Sequence, residues 1–399
     1  MYFTFYSFVY IKVSVKEQEV LIKNTENGFV QIINNKIVVD YLASITPNTI
    51  NYGVELTPES YSDKEVYDIF KNLECNMCGE FVPETAGKAP IQFSPQLKIK
   101  NLTYTDDIPD FYQKDDSFSL SVLNDIGKNI LYNVLELSIY YSTNPNPDLK
   151  EMNVASSQYL YPIISDMLLK LDCLELLFRY EYPKLSRINL ILGDINLNDL
   201  NKINTILNDR ELASKTILYT TEDEYAKLPP QSYETFSSIK VWNYWGSDNK
   251  GIECLYLEKK ISQLISLENN RPNAEIYPLF TGGNIQECIE YLSYSKEDVL
   301  VENISEDEIF INQYINSNFY GELSIFPDGS VYSRKNTPPL GNLYKDDIKQ
   351  LLLLEICKYK NWFMTREKIE KCKDCVLNCF CPPITLLEIG MNKATLCTY

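Results

Sequence analysis

The chain contains no histidine. That absence removes the commonest general base and the commonest nitrogen ligand for zinc. Every His-dependent triad, zincin or deaminase mechanism goes with it, and Cys, Asp, Glu, Lys and Tyr are left as the titrating groups. Basic runs are missing too. Lys and Arg total 37 against 55 Asp and Glu, a formal net charge of −18. Such a surface disfavours nucleic acid and anionic membranes and favours a basic peptide or protein partner. No apolar run reaches membrane-spanning length. The apolar start, MYFTFYSFVYIKVSV, has neither a basic n-region nor a small-residue cleavage site, and it reads as a strand. Neither a Walker loop nor a Rossmann glycine fingerprint occurs. With no signal peptide and an odd number of mostly scattered cysteines, a reducing, cytoplasmic compartment is expected rather than a disulfide scaffold.

What the chain does have is a cysteine-rich end. Five of its eleven cysteines, Cys372, Cys375, Cys379, Cys381 and Cys397, lie in the last 28 residues. Two cysteines separated by two residues can bind one ion or cluster from a single turn. Four thiolates suffice for a tetrahedral zinc site or a four-iron cluster. Cys379 competes with Cys381 for the third place. Pro382 and Pro383 then block helix continuation. A second pair, Cys75 and Cys78, stands alone and is read as two unligated thiols.

Along the chain, residues 1–85 read as a small α+β module. Its strand-like runs are Phe3–Val15, Glu19–Lys23 and Ile50–Leu56, with a turn at Asn27-Gly28 and helical patterns at Val38–Ser44 and Lys64–Leu73. A proline-bearing stretch at 86–97 marks a boundary. From there strands and helices alternate. The strands are Leu97–Tyr104, Val134–Tyr141, Arg187–Leu192, Thr216–Thr220, Ser238–Tyr244 and Ala274–Leu279. The helices are Ser117–Leu131, Gln158–Arg179, Leu197–Leu207, Glu222–Lys227, Cys254–Leu267 and Asn284–Tyr291. Six such units predict an α/β fold, a partial (β/α)6 TIM-type barrel over residues 96–305, with chemistry at the C-terminal strand ends. Gly282-Gly283 there would allow a ligand's backbone to approach. The last segment, 306–399, opens with a hairpin, Gly321–Phe326 and Ser330–Arg334 across Pro327-Asp328-Gly329. A helix, Asp346–Tyr359, leads into the cysteines.

The run GELSIFPDGSVYSRKNTPPLGNLYKDDIKQLLLLEICKYKNWFMTREKIEKCKDCVLNCFCPP resembles the SPASM domain of radical SAM peptide-modifying enzymes. That domain normally carries two auxiliary four-iron clusters. The second is held by C-x2-C-x5-C and a later cysteine, which map onto Cys372, Cys375, Cys381 and Cys397. The first cluster's ligand positions fall on Arg334 and Thr385, so its site looks lost as a unit. The middle of the chain resembles the radical SAM barrel in order and length. Its C-x3-C-x2-C motif is absent, since LKIKNLTYTDDIPDFYQK has no cysteine, and YYSTN stands where Gly-Gly-Glu is expected. End to end, the chain is similar to the pseudo-radical-SAM (SPASM) proteins of GG-Bacteroidales peptide-modification systems.

This resemblance implies one auxiliary [4Fe-4S] cluster, no cleavage of S-adenosylmethionine and no catalytic residues. It also implies a role beside a precursor peptide and an active radical SAM maturase. An iron–sulfur electron-transfer partner and a structural zinc protein are the alternatives. The N-terminal module is similar to elements that bind leader peptides. Two readings stand side by side: the module takes an extended leader segment at a strand edge, with the Phe3–Val15 run supplying the apolar face, or that strand is fully paired and the module is a lid packed on the barrel.

Overall fold

A turn at Tyr6–Phe8, closed by Val9 N–H on the Tyr6 carbonyl, divides the N-terminal apolar run. The computed structural model describes residues 1–45, 52–84, 130–141, 168–192, 197–221, 236–242, 289, 293–302, 304–333, 338–385, 388–389 and 396–398. Strand β1 (Tyr2–Phe5) is the middle of an antiparallel sheet, between β5 (Gly53–Glu55) and β6 (Gly79–Val82). Strand β2 (Val9–Ser14) enters a second antiparallel sheet with β3 (Glu19–Asn24) and β4 (Val30–Ile33). The expectation of one continuous strand is therefore corrected, while its second half, β2, lies at the edge of its sheet and pairs with β3 alone among the described residues. Phe3 and Phe5 lie in a strand paired on both sides, and both are fully buried.

Helices α1 (Lys36–Ala43), α2 (Pro58–Ser62) and α3 (Lys64–Cys75) complete the module. Each starts where a side chain accepts the orphan N–H groups of the first turn, from Asn35, Thr57 and Asp63 respectively. Val38, Leu42, Phe70 and Leu73 of α1 and α3 meet Phe3, Phe5, Val20 and Ile22 of the two sheets in one core.

The third sheet carries the middle of the chain. Strands β7 (Glu136–Tyr140), β8 (Arg187–Leu192), β9 (Thr216–Thr221) and β10 (Ser238–Trp242) lie parallel and in chain order. Helices α4 (Leu171–Leu177) and α5 (Leu197–Asp209) connect them. The sheet continues through β11 (Glu322–Ile325), parallel to β7, and then antiparallel through β12 (Ser330–Tyr332) and β13 (Gly341–Asn342). The hairpin expected across Pro327-Asp328-Gly329 is β11–β12, with Gly329 at φ +82°.

The fold is thus mixed α/β, with three sheets and eight α-helices among the described residues. The expected strands Leu97–Tyr104 and Ala274–Leu279, the helices Glu222–Lys227 and Cys254–Leu267, and Gly282-Gly283 lie outside the described residues. One feature differs from the barrel order. The place beside β7 that a first barrel strand would take is held by β11, from the C-terminal segment. The sheet therefore runs across the boundary drawn at residue 306.

The remaining helices are α6 (Lys296–Val301), α7 (Glu306–Tyr314) and α8 (Ile348–Leu354). Ser295 and Ser305 close capping boxes at the starts of α6 and α7. The helix expected over Asp346–Tyr359 is shorter: Asp347 caps α8, and residues Glu355–Tyr359 widen into a π turn. There the buried Glu355 carboxylate accepts from Ser333, Asn361 and the Trp362 N–H. No helix among the described residues is long and apolar enough to cross a membrane.

Gly321 fixes how β11 meets β7. It sits at φ +78°, and its carbonyl accepts the N–H groups of Leu135 and Glu136. A Cβ there would stand 2.6 Å from Leu135 Cγ and 2.8 Å from the Asn133 carbonyl oxygen. Gly321→Ala is therefore expected to destabilise the protein by about 1–3 kcal/mol, read as a lower urea midpoint at an unchanged slope.

Candidate metal centre

The cysteine run folds as consecutive turns. Cys372 N–H bonds to the Ile369 carbonyl at 2.8 Å, Cys375 N–H to Cys372 at 3.0 Å, and Cys381 N–H to Leu377 at 3.0 Å. A chain that reverses every few residues brings side chains three to six apart into one region, which a strand could not do. Trp362, fully buried, anchors the approach to these turns. Its indole N–H donates to the Glu322 carbonyl of β11, and its own carbonyl accepts from Asn316.

Cys397 returns from far along the chain. It forms an isolated parallel bridge with Tyr294, and Thr398 N–H bonds to the Tyr294 carbonyl at 3.1 Å. The bridge brings Cys397 beside the turns. Burial pushes the Cys381 thiol up to about 12. The nearby Arg366 cation works against that shift, while the charges of Cys375, Cys397 and Cys372 add to it. The Cys375 thiol is raised as well, by burial first. The Leu377 N–H favours its thiolate, and the charges of Cys372, Cys397 and Glu19 oppose it. The four thiols of Cys372, Cys375, Cys381 and Cys397 thus lie within reach of one another's charge.

Cys379 belongs to a different neighbourhood. Its thiol is fully buried and raised to about 11, first by burial, with Lys12 lowering it and Glu367 raising it. Its Sγ lies 3.0 Å from Asn378 Oδ1, and Tyr10 and Gln313 are its other polar neighbours. Cys381 is influenced by the charges of the other three cysteines, whereas the groups that influence Cys379 are Lys12, Glu367, Tyr10 and Gln313.

An all-sulfur donor set suits zinc or an iron–sulfur cluster, both of which bind thiolates. With Cys375 and Cys381 raised above the ordinary thiol range, a bound cation must displace their protons. Among the described residues no group of three or more Cys, Asp or Glu side chains is already arranged to hold a metal ion. In the other pair, Cys75 is exposed, while burial raises Cys78 to about 12. Cys75 ends α3, and Cys78 lies just beyond it.

No family model matches the chain, and no curated protein matches it. Crystal structures of SuiB from Streptococcus suis align with it. The one bound to S-adenosylmethionine is 13% identical over 99% of this chain and 100% of that one, with a TM-score of 0.35. A second SuiB structure has the same identity and coverage and a TM-score of 0.25. Overlaps this loose carry no argument about fold or chemistry.

Two features of the site escape the spacing of cysteines. One is the buried ion pair of Arg366 and Glu388, at 2.8 Å. Thr385-x-x-Glu388 is a capping-box pattern, a local signal that could have drawn notice to Glu388 but carries no information on its partner Arg366. The other is the set of contacts between the cysteine turns and the N-terminal module, Lys12 with Glu367 and Lys16 with Asp374. No local pattern announces pairs separated by most of the chain.

The two neighbourhoods give a prediction. Cys379→Ser should retain bound metal, whereas Cys381→Ser should lose it, as read by metal-to-protein ratio after anaerobic purification. The opposite outcome would exchange the roles of the two residues. For the intact chain, apparent metal affinity should rise with pH through the neutral range, because protons compete for raised thiols. A titration of Co2+ binding against pH checks this.

Proposed function

We propose that the chain is a non-catalytic, radical-SAM-like partner in the maturation of a ribosomally made precursor peptide. In this reading it carries one auxiliary [4Fe-4S] cluster on Cys372, Cys375, Cys381 and Cys397. The observation that carries the reading is the pairing of two facts. The charges of Cys372, Cys375 and Cys397 reach Cys381, and the sequence has no C-x3-C-x2-C motif to leave an iron open to S-adenosylmethionine. The four parallel strands β7 to β10, in chain order, are in keeping with a radical-SAM-like scaffold.

A bound cluster would supply one-electron chemistry or a structural crosslink. The protein's own residues shield the site. Val376, Leu377 and Phe380 pack beside it with Tyr10 and Leu21, and Arg366 places a positive charge near Cys381. No His, Asp or Glu is needed as a ligand.

The precursor peptide is assigned to the N-terminal module, at the edge of β4 instead of the Phe3–Val15 run. Among the described residues strand β4 pairs with β3 alone, at the opposite edge of that sheet from β2. Beside it runs an open groove of about 500 Å³ lined by Gln31 of β4 and by Lys64, Glu65, Asp68, Ile69 and Asn72 of α3. An edge strand offers N–H and C=O groups to an extended peptide. The acidic pair on α3 favours a leader carrying Lys or Arg.

Three measurements test this. Anaerobically purified protein should contain about four iron and four sulfide per chain; one zinc per chain without iron would remove the cluster from the proposal. Supplied with S-adenosylmethionine and dithionite, it should form no 5′-deoxyadenosine, and formation of that product would end the non-catalytic reading. An extended, Lys/Arg-rich labelled peptide should bind about tenfold more weakly to the Glu65→Lys, Asp68→Lys variant, about 1.4 kcal/mol, and that difference should shrink with added salt. Equal affinity at low salt would move the docking site elsewhere.

A further inference from the structure

Cys397 is the only member of the thiol group that does not come from the 372–381 turns, so something must hold its segment in place. The structure shows what does. Glu388 is almost wholly buried, and its two oxygens are fully engaged. Oε1 takes the Arg366 Nη1–H at 2.8 Å and the Leu396 N–H at 3.3 Å. Oε2 takes Arg366 Nη2–H at 3.1 Å, the Thr385 N–H at 2.9 Å and the Thr385 hydroxyl at 3.2 Å. Arg366 spends its remaining Nε–H on the Pro382 carbonyl at 2.9 Å, one residue past Cys381.

One carboxylate therefore grips the residue before Cys397, and its guanidinium partner grips the residue after Cys381. On the far side, the Tyr294 backbone bonds to Leu396 and Thr398, so Cys397 is framed from both directions. Both side chains are 3% exposed or less. A buried fork-to-fork pair with every acceptor used is rigid, and losing one member strands a buried charge.

We infer that Glu388, locked by Arg366, is the positioning residue that carries Cys397 to Cys372, Cys375 and Cys381. The inference takes its ligand from the metal centre proposed above, but its geometry stands without that centre. Residues behind metal ligands commonly set affinity by 10- to 100-fold, and Glu388 acts here through the backbone of the ligand's neighbour.

The test uses the full chain, metal-free, with two readouts. The first is Co2+ affinity from thiolate-to-cobalt absorption. The second is the yield of disulfide between Cys397 and any of Cys372, Cys375 or Cys381 after brief diamide treatment, mapped by peptide mass spectrometry. Wild type should show both. Glu388→Gln keeps size and some hydrogen bonding but removes the charge. It should bind Co2+ about 10- to 100-fold more weakly and lose most of the Cys397 disulfide, with far-UV circular dichroism unchanged. If Glu388→Gln fails to fold, the apolar pair Arg366→Met, Glu388→Leu decides, since it leaves no stranded charge; it should fold and still lose both signals. Wild-type values in whichever variant folds overturn the inference, as does a wild type that forms no Cys397 disulfide. A wild type that binds no Co2+ but forms the disulfide in a Glu388-dependent way keeps the positioning role and sinks the metal centre instead.

Discussion

All six residues of β3, from Glu19 to Asn24, are buried. A strand covered on both faces needs two partners, and the chain supplies them from opposite ends. Val20 and Ile22 face α1 and α3 within the N-terminal core. Leu21, with Tyr10 of β2, faces Val376, Leu377 and Phe380 of the cysteine turns. The polar residues of the sheet follow the same division. Glu19 pairs with Lys296 of α6 at 3.1 Å, and the Lys23 ammonium lies 5.9 Å from the centre of the Phe380 ring. The first and last parts of the chain are one packed unit, and the candidate metal centre is built at its seam.

That seam explains the fate of Cys379. A thiol turned toward Tyr10, Lys12 and Gln313 is committed to the interface between sheet and turns. It is buried in the cluster that joins the two. The ion pairs around it, Lys12 with Glu367 and Lys16 with Asp374, are partly exposed and individually worth little. Apolar burial of Tyr10, Leu21 and Phe380 carries most of the docking, at about 1.5–3 kcal/mol for a large side chain.

The turns are held from a second direction by sheet three. Trp362 joins β11, Glu355 and Asn316 through its indole and its backbone, so the cysteine segment inherits the rigidity of a sheet that also contains β7. The Arg366–Glu388 pair then closes the far side. The arrangement follows a general logic. Thiols that must gather without a preformed cage need their backbones fixed, because each freely rotating segment adds conformational entropy that binding has to overcome.

Much of this was legible in the residues. The turn at Pro327-Asp328-Gly329, the helical pattern at Lys64–Leu73, and the runs Arg187–Leu192 and Thr216–Thr220 are local signals, and the elements they mark appear where expected; the capping box that starts α7 at Ser305 is just as local a signal, but that helix was not among the expectations. The spacing of Cys372, Cys375 and Cys381 likewise placed them on one set of turns, because hydrogen bonds three and four residues apart follow from nearby sequence. Tertiary structure alone decided the rest. It split Phe3–Val15 between two sheets, since an unbroken apolar alternation does not say which partner each half will meet. It put β11 beside β7, a pairing between residues almost two hundred apart that periodicity cannot encode. It turned Cys379 away from its neighbours and set Glu388 against Arg366, because the direction a buried side chain faces is fixed by what packs against it, and those contacts come from distant parts of the chain.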